Sequence, residues 1–180
     1  MIKLYKRTGK QTLYWEAWDA GNRTVMIHWG TLGKTGRNKS IQIPKGASAD
    51  TIIDRESKEP RSDGYEEIRI EDHVQIIVQF KTEDAWGNSA DLDKRHSVEG
   101  ILNECLGWTG NGHCDGGDIG SGTINVFSFV VDPYRAKDSI VAALKQNNLI
   151  DGTIIVINNE DDYEVLWPED FEGESSTINI

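Results

Sequence analysis

Cys105, His113, Cys114, Asp115 and Asp118 place five metal-ligating side chains within fourteen positions. A structural zinc site needs four ligands, usually with paired cysteines two to four residues apart. Adjacent His113 and Cys114 on a strand point to opposite faces instead. Calcium is no better served, because Asp115 and Asp118 lack the spaced aspartates and closing glutamate of a calcium loop. The same divergence denies a Cys114 thiolate its base in His113. Gly116, Gly117, Gly120 and Gly122 suggest a phosphate cradle, but no lysine and Ser/Thr pair follows them, and the two aspartates repel phosphate. The expectation is therefore no metal, no cofactor and no catalytic residue. On this view the glycine-rich segment is a hairpin tip or a partner-contacting loop. His28, His73 and His96 stand alone in sequence and read as surface or internally satisfied residues.

The elements that carry these residues belong to a chain with 37% hydrophobic residues and a mean hydropathy of -0.51. No apolar run approaches the ~20 residues that span a bilayer, so no membrane partner is expected. The first residues are basic and lack the apolar stretch of a secretory signal, and the two cysteines are too few for a disulfide framework. The expected location is cytoplasmic. The net charge of -11 is unevenly distributed: residues 1–45 hold nine Lys+Arg and two Asp+Glu, while residues 73–180 hold six and nineteen. This asymmetry suggests two modules facing different partners. The fold class is α+β, with domains at 1–72 and 73–170 and a solvated tail at 171–180.

In the first module, residues 2–7, 12–19, 23–29 and 38–43 alternate aromatic or β-branched with polar residues, which predicts four strands. Gly9-Lys10, Ala20-Gly21-Asn22 and Gly33-Lys34-Thr35-Gly36 supply the turns of an antiparallel meander. Ser48 caps a helix that buries Ile52 and Ile53 and stops before Pro60. A last strand is expected at residues 65–70.

The segment His28-Trp29-Gly30-Thr31-Leu32-Gly33-Lys34-Thr35-Gly36 resembles the signature of the WGR domain, found in poly(ADP-ribose) polymerases and in small bacterial proteins. Lys58-Glu59-Pro60-Arg61-Ser62-Asp63-Gly64-Tyr65 is similar to the family's later Lys, then Gly-Tyr, pattern. The resemblance covers about residues 1–70 and implies a small sheet with a helix that binds nucleic acid or docks on a protein, without catalysis. It departs from the family at Thr31, where the arginine that names the domain is usual. Threonine replaces neither that charge nor its bidentate donors. Trp29, Lys34, Arg37 and Lys39 remain as a phosphate-contacting set with an aromatic face. The competing reading makes Trp29 a core residue following Ile27.

The second module begins with a strand at residues 74–80 whose Val74, Ile76, Val78 and Phe80 share a face. A helix capped by Asn88 or Ser89 carries Val98, Ile101, Leu102, Cys105 and Leu106 at helical spacing. A strand at residues 123–131 leads to Asp132-Pro133, which opens a helix to about Asn147. Strands at residues 153–157 and 163–167 close the domain. If residues 111–115 add a short strand, the order becomes the ferredoxin-like βαββαβ with both helices on one sheet face. Residues 110–122, followed by Asn125 and Phe127, loosely resemble small bacterial proteins and toxin-neutralising immunity proteins.

Two functions follow. In one, a non-enzymatic binding protein joins a WGR-like nucleic-acid or protein docking module to an acidic protein-interaction domain. In the other, a bacterial immunity protein covers the basic active site of a toxin with acidic residues such as Asp115, Asp118, Asp161 and Asp162. A nicotinamide-using enzyme is excluded, because the chain has no room left for that catalytic domain.

Overall fold

The computed structural model describes residues 1–159, 162–173 and 178. They form two compact units: Met1–Asp72 with Trp108–Gly110, and His73–Gly107 with Asn111–Ile180. The class is α+β, with two antiparallel sheets of four and five strands and three helices. None of the described helices is long and apolar enough to cross a membrane.

In the first unit β1 (Ile2–Thr8), β2 (Gln11–Asp19), β3 (Thr24–Thr31) and β4 (Arg37–Gln42) form a meander in the order β1-β2-β3-β4. Alternation divides their side chains between two faces. Leu4, Trp15, Ala17, Val25 and Ile27 pack against Ile52 and Ile53 of helix α1 (Ala49–Ser62). Ser48 caps α1, its hydroxyl accepting from the Thr51 N–H at 3.2 Å.

The expected stop before Pro60 does not occur, because α1 runs on to Ser62. Pro60 lies in the last turn, where its missing N–H costs one helical bond. The Asp63 N–H then donates to the Glu59 and Pro60 carbonyls, which closes the helix end. The strand expected at residues 65–70 shrinks to one bridge between Tyr5 and Glu66, followed by a 3-10 turn at Ile70–Asp72. Within residues 65–70 Tyr65 packs against the core of the first unit, while Ile70 is 62% exposed.

In the second unit β5 (Val74–Lys81), β6 (Gly112–Gly120), β7 (Thr123–Val130), β8 (Ile154–Asn158) and β9 (Tyr163–Trp167) form a sheet in the order β6-β7-β5-β8-β9. Helices α2 (Ser89–Gly107) and α3 (Pro133–Gln146) contribute Val98, Leu102 and Leu106, and Ala136, Ile140 and Leu144, to one core. That core also holds Ile76, Val78 and Phe80 of β5. The cap of α2 is Asn88, whose side chain accepts from the Ala90 and Asp91 N–H groups, while the Asp91 carboxylate accepts from the Asn88 N–H. Asp132 caps α3 ahead of Pro133. On the other sheet face Ile77 and Val156 pack with Ile178.

Most of the glycine-rich segment is the edge strand β6 rather than a loop, and the expected hairpin tip is confined to its last residues. Gly116, at φ +95°, lies in a bulge between Cys114 and Gly117. A Cβ on Gly117 would overlap the Asn125 carbonyl. Glycine therefore permits the close strand approach here. The turn itself is Ser121-Gly122, both at positive φ, as a two-residue hairpin requires.

Candidate functional site

Strand pleating splits the signature segment between the two faces of the first sheet. Glu16 pairs with His28, Lys3 with Glu16, and Tyr14 with Gly30, so these residues share the face opposite α1. Lys3 Nζ lies 3.1 Å from Glu16 Oε2, and Glu16 Oε1 lies 2.7 Å from His28 Nδ1. His28 Nε2 is 3.0 Å from the Tyr14 hydroxyl. A carboxylate only accepts, so the ring donates from Nδ1 to Glu16, while Nε2 is in hydrogen-bond contact with the Tyr14 hydroxyl. Glu16, His28 and Tyr14 are all buried. Burial, and then the charge of Glu16, push the Tyr14 phenol up to about 12.

A base linked to a carboxylate and a phenol has the makings of acid–base catalysis, but this one is closed. His28 has no exposed surface, and both of its nitrogens are engaged. The β3–β4 loop is held by the Leu32 N–H donating to the Thr12 carbonyl and the Gly33 N–H donating to the Thr109 carbonyl. A Cβ on Gly36 would overlap the Tyr14 hydroxyl, and one on Gly30 would lie 2.9 Å from the Gly36 Cα. Trp108 packs edge-on to His28 with ring centroids 5.0 Å apart, and the Tyr5 hydroxyl donates to the Gly110 carbonyl at 3.1 Å. His28, Gly30 and Gly36 are thus committed to holding the fold. Tyr14 and Glu16 were invisible as site residues in a linear reading, although their alternation with Trp15 and Ala17 marks a second, polar face.

Trp29 points the other way. It lines a cleft of about 290 Å³ with Trp15, Ile27 and Lys39 from the sheet. The opposite side is Glu56, Glu59, Pro60 and Asp63 from α1 and its end, together with Tyr65. Lys39 Nζ lies 3.2 Å from Glu56 Oε2. Burial raises the Glu56 carboxyl, but the bonds from Arg55 and Lys39 win and hold it below its usual value. Lys6 Nζ is 2.9 Å from Asp63 and 5.7 Å from the centre of the Tyr65 ring. Glu59 is exposed and makes no ion pair among the described residues.

The set of Trp29, Lys34, Arg37 and Lys39 is therefore divided. Trp29 and Lys39 belong to the cleft, and Lys39 is committed to Glu56. Lys34 is exposed on the β3–β4 loop, and Arg37 is exposed at the start of β4, opposite Trp29 in register. The acidic set is also dispersed. Asp115 and Asp118 are exposed on β6, at one edge of the second sheet. Asp118 accepts from Asn125 Nδ2 at 2.9 Å. Asp162 precedes β9, the other edge, and accepts from the Tyr163 N–H at 2.8 Å. Asp161 lies outside the described residues.

Cys114 packs on the helix side of its sheet, whereas His113 meets Phe129 on the other side, with ring centroids 6.2 Å apart. Burial pushes the Cys105 thiol up to about 12 and also raises that of Cys114. Among the described residues no group of three or more His, Cys, Asp or Glu side chains is arranged to hold a metal ion.

The fold and these contacts define an α+β chain with an aromatic, carboxylate-bearing cleft in its first unit. Comparison with protein-family models, with curated proteins and with solved structures found no match to the chain in any of the three.

Proposed function

We propose that the chain is a non-enzymatic binding protein whose first unit is a WGR-like module that docks on a protein partner. Its second unit is then an acidic interaction domain of ferredoxin-like type. The order β6-β7-β5-β8, with both helices in one core and β9 added at the edge, supports the latter reading. One observation carries the docking assignment. Within the signature segment His28 and Gly30 are consumed by internal packing, while Trp29 is presented in a cleft.

A protein suits that cleft better than a polyanion. The cations beside the cleft are already paired, Lys39 and Arg55 with Glu56 and Lys6 with Asp63, while Glu59 has no ion pair among the described residues, so a phosphate would meet an unpaired carboxylate. The rival immunity-type reading needs a single acidic contact surface. Asp115 and Asp118 stand on the opposite sheet edge from Asp162, which favours docking through the first unit.

Arg37, exposed and in register with Trp29, is the position for a photo-crosslinking residue introduced in cells. The expected product is a protein adduct that Trp29→Ala removes. Adducts with nucleic acid alone, or none above those from a control position on α3, would reject protein docking.

A further inference from the structure

We infer that the cleft between Trp29 and α1 receives a cationic side chain, lysine or arginine, presented by a partner protein. This rests on the docking reading and adds the chemistry of what is docked. Three features select the ligand. The cleft's volume of about 290 Å³ lies at the small end of ligand sites, suited to one long side chain rather than to a nucleotide or a folded element. Its walls include the rings of Trp15, Trp29 and Tyr65, and an aromatic face attracts a cation through its quadrupole. Of the lining carboxylates, Glu56 is compensated by Lys39 and Arg55 and Asp63 by Lys6, which leaves Glu59 as the acid without a countercharge among the described residues.

The protein already places one cation in this setting. Lys6 pairs with Asp63 and lies over the Tyr65 ring. Lys39 and Arg55 similarly occupy Glu56. Glu59 is the remaining lining carboxylate, without an ion pair among the described residues, and it stands one helical turn from Asp63 on the same side of α1. An incoming ammonium or guanidinium group would pair with Glu59 while its methylenes cover Trp29. A guanidinium adds stacking on the indole.

The test uses the full-length protein and four short peptides identical except at a central residue: arginine, lysine, citrulline or norleucine. Binding is followed by NMR through the backbone amides of Trp29, Glu59 and Tyr65 and the indole N–H groups of Trp15 and Trp29. The arginine or lysine peptide should move these signals and bind about tenfold or more tightly than its neutral counterpart. Glu59→Gln, a change at an exposed helical position that leaves the fold intact, should remove most of that difference. Equal binding of the neutral peptides, or silence of the cleft signals with all four, would overturn the inference. A protein adduct from position 37 combined with a silent cleft would reject the cation pocket and leave the docking module standing. Loss of both would reject the two together.

Discussion

Glu16 and His28 face each other across β2 and β3 with Oε1 2.7 Å from Nδ1, and both are buried. A carboxylate taken out of water is tolerated only when it is paired and hydrogen-bonded. Here Lys3 supplies the countercharge, and His28 supplies a donor whose other nitrogen meets Tyr14. His28→Ala should therefore destabilise the first unit by about 3–5 kcal/mol, since it strips one partner from a buried charge. Urea unfolding followed by tryptophan fluorescence measures this. A loss under about 1 kcal/mol would mean that the chain of contacts contributes little beyond shape.

Stability should also depend on alkaline pH through Tyr14. Its phenol is raised to about 12 in the folded state from the ordinary value of 10.0. Between those values the unfolded chain loses this proton and the folded chain keeps it. The contribution is thus complete below about pH 10 and is lost as the pH rises toward 12. In the native protein, Tyr14→Phe should remove a late step from the phenolate absorbance titration. A titration indistinguishable from that of the parent protein would contradict the burial of this hydroxyl.

Gly36 and Gly100 should respond in opposite senses to alanine. A Cβ on Gly36 overlaps Tyr14 and the Trp29 carbonyl, whereas one on Gly100 in α2 meets nothing within 4 Å. Gly36→Ala should cost about 1–3 kcal/mol through overpacking. Gly100→Ala should stabilise by up to about 1 kcal/mol through helix propensity. Thermal melts of the two variants decide the matter, and equal shifts would show that the β3–β4 loop is not tightly seated.

Native Cys105 should resist alkylation. Its thiol is raised by burial to about 12, so little thiolate exists at pH 8. Iodoacetamide labelling analysed by mass spectrometry should modify Cys105 many times faster in urea than in buffer. Comparable rates would place the sulfur at the surface.

Any residual affinity for duplex DNA should come from Lys34 and Arg37 and not from Lys39, which Glu56 already holds. Replacing Lys34 and Arg37 by alanine should lower the salt dependence of binding by about 2 counterions, near 0.9 per lost phosphate contact. Adding Lys39→Ala should change nothing further. A third step of similar size in fluorescence anisotropy would show that the Lys39–Glu56 pair opens for phosphate.

The strands, the caps and the division of charge are legible in the chain because each is written in a few neighbouring residues. Alternation in residues 12–19 sends Trp15 and Ala17 to one face and Tyr14 and Glu16 to the other. Ser48 and Asp132 act on N–H groups three residues away. Local signals fail where a contact elsewhere sets the outcome. Pro60 reads as a helix stop, yet the bonds from Asp63 carry α1 past it. The glycines of β6 read as a loop, yet pairing with β7 makes them a strand.

The candidate site is still less local. Trp29 and Lys39 were singled out by type, but the carboxylates that set the charge of their cleft come from a helix some twenty residues further on. Trp108–Gly110 belongs to the first unit although it follows α2 in the chain. The Tyr5 hydroxyl meets the Gly110 carbonyl across a separation of 105 residues. Sequence period decides which face of a strand a residue occupies. Only tertiary packing decides what that face meets, because buried charges, close glycine contacts and clefts arise between segments whose approach no local pattern encodes.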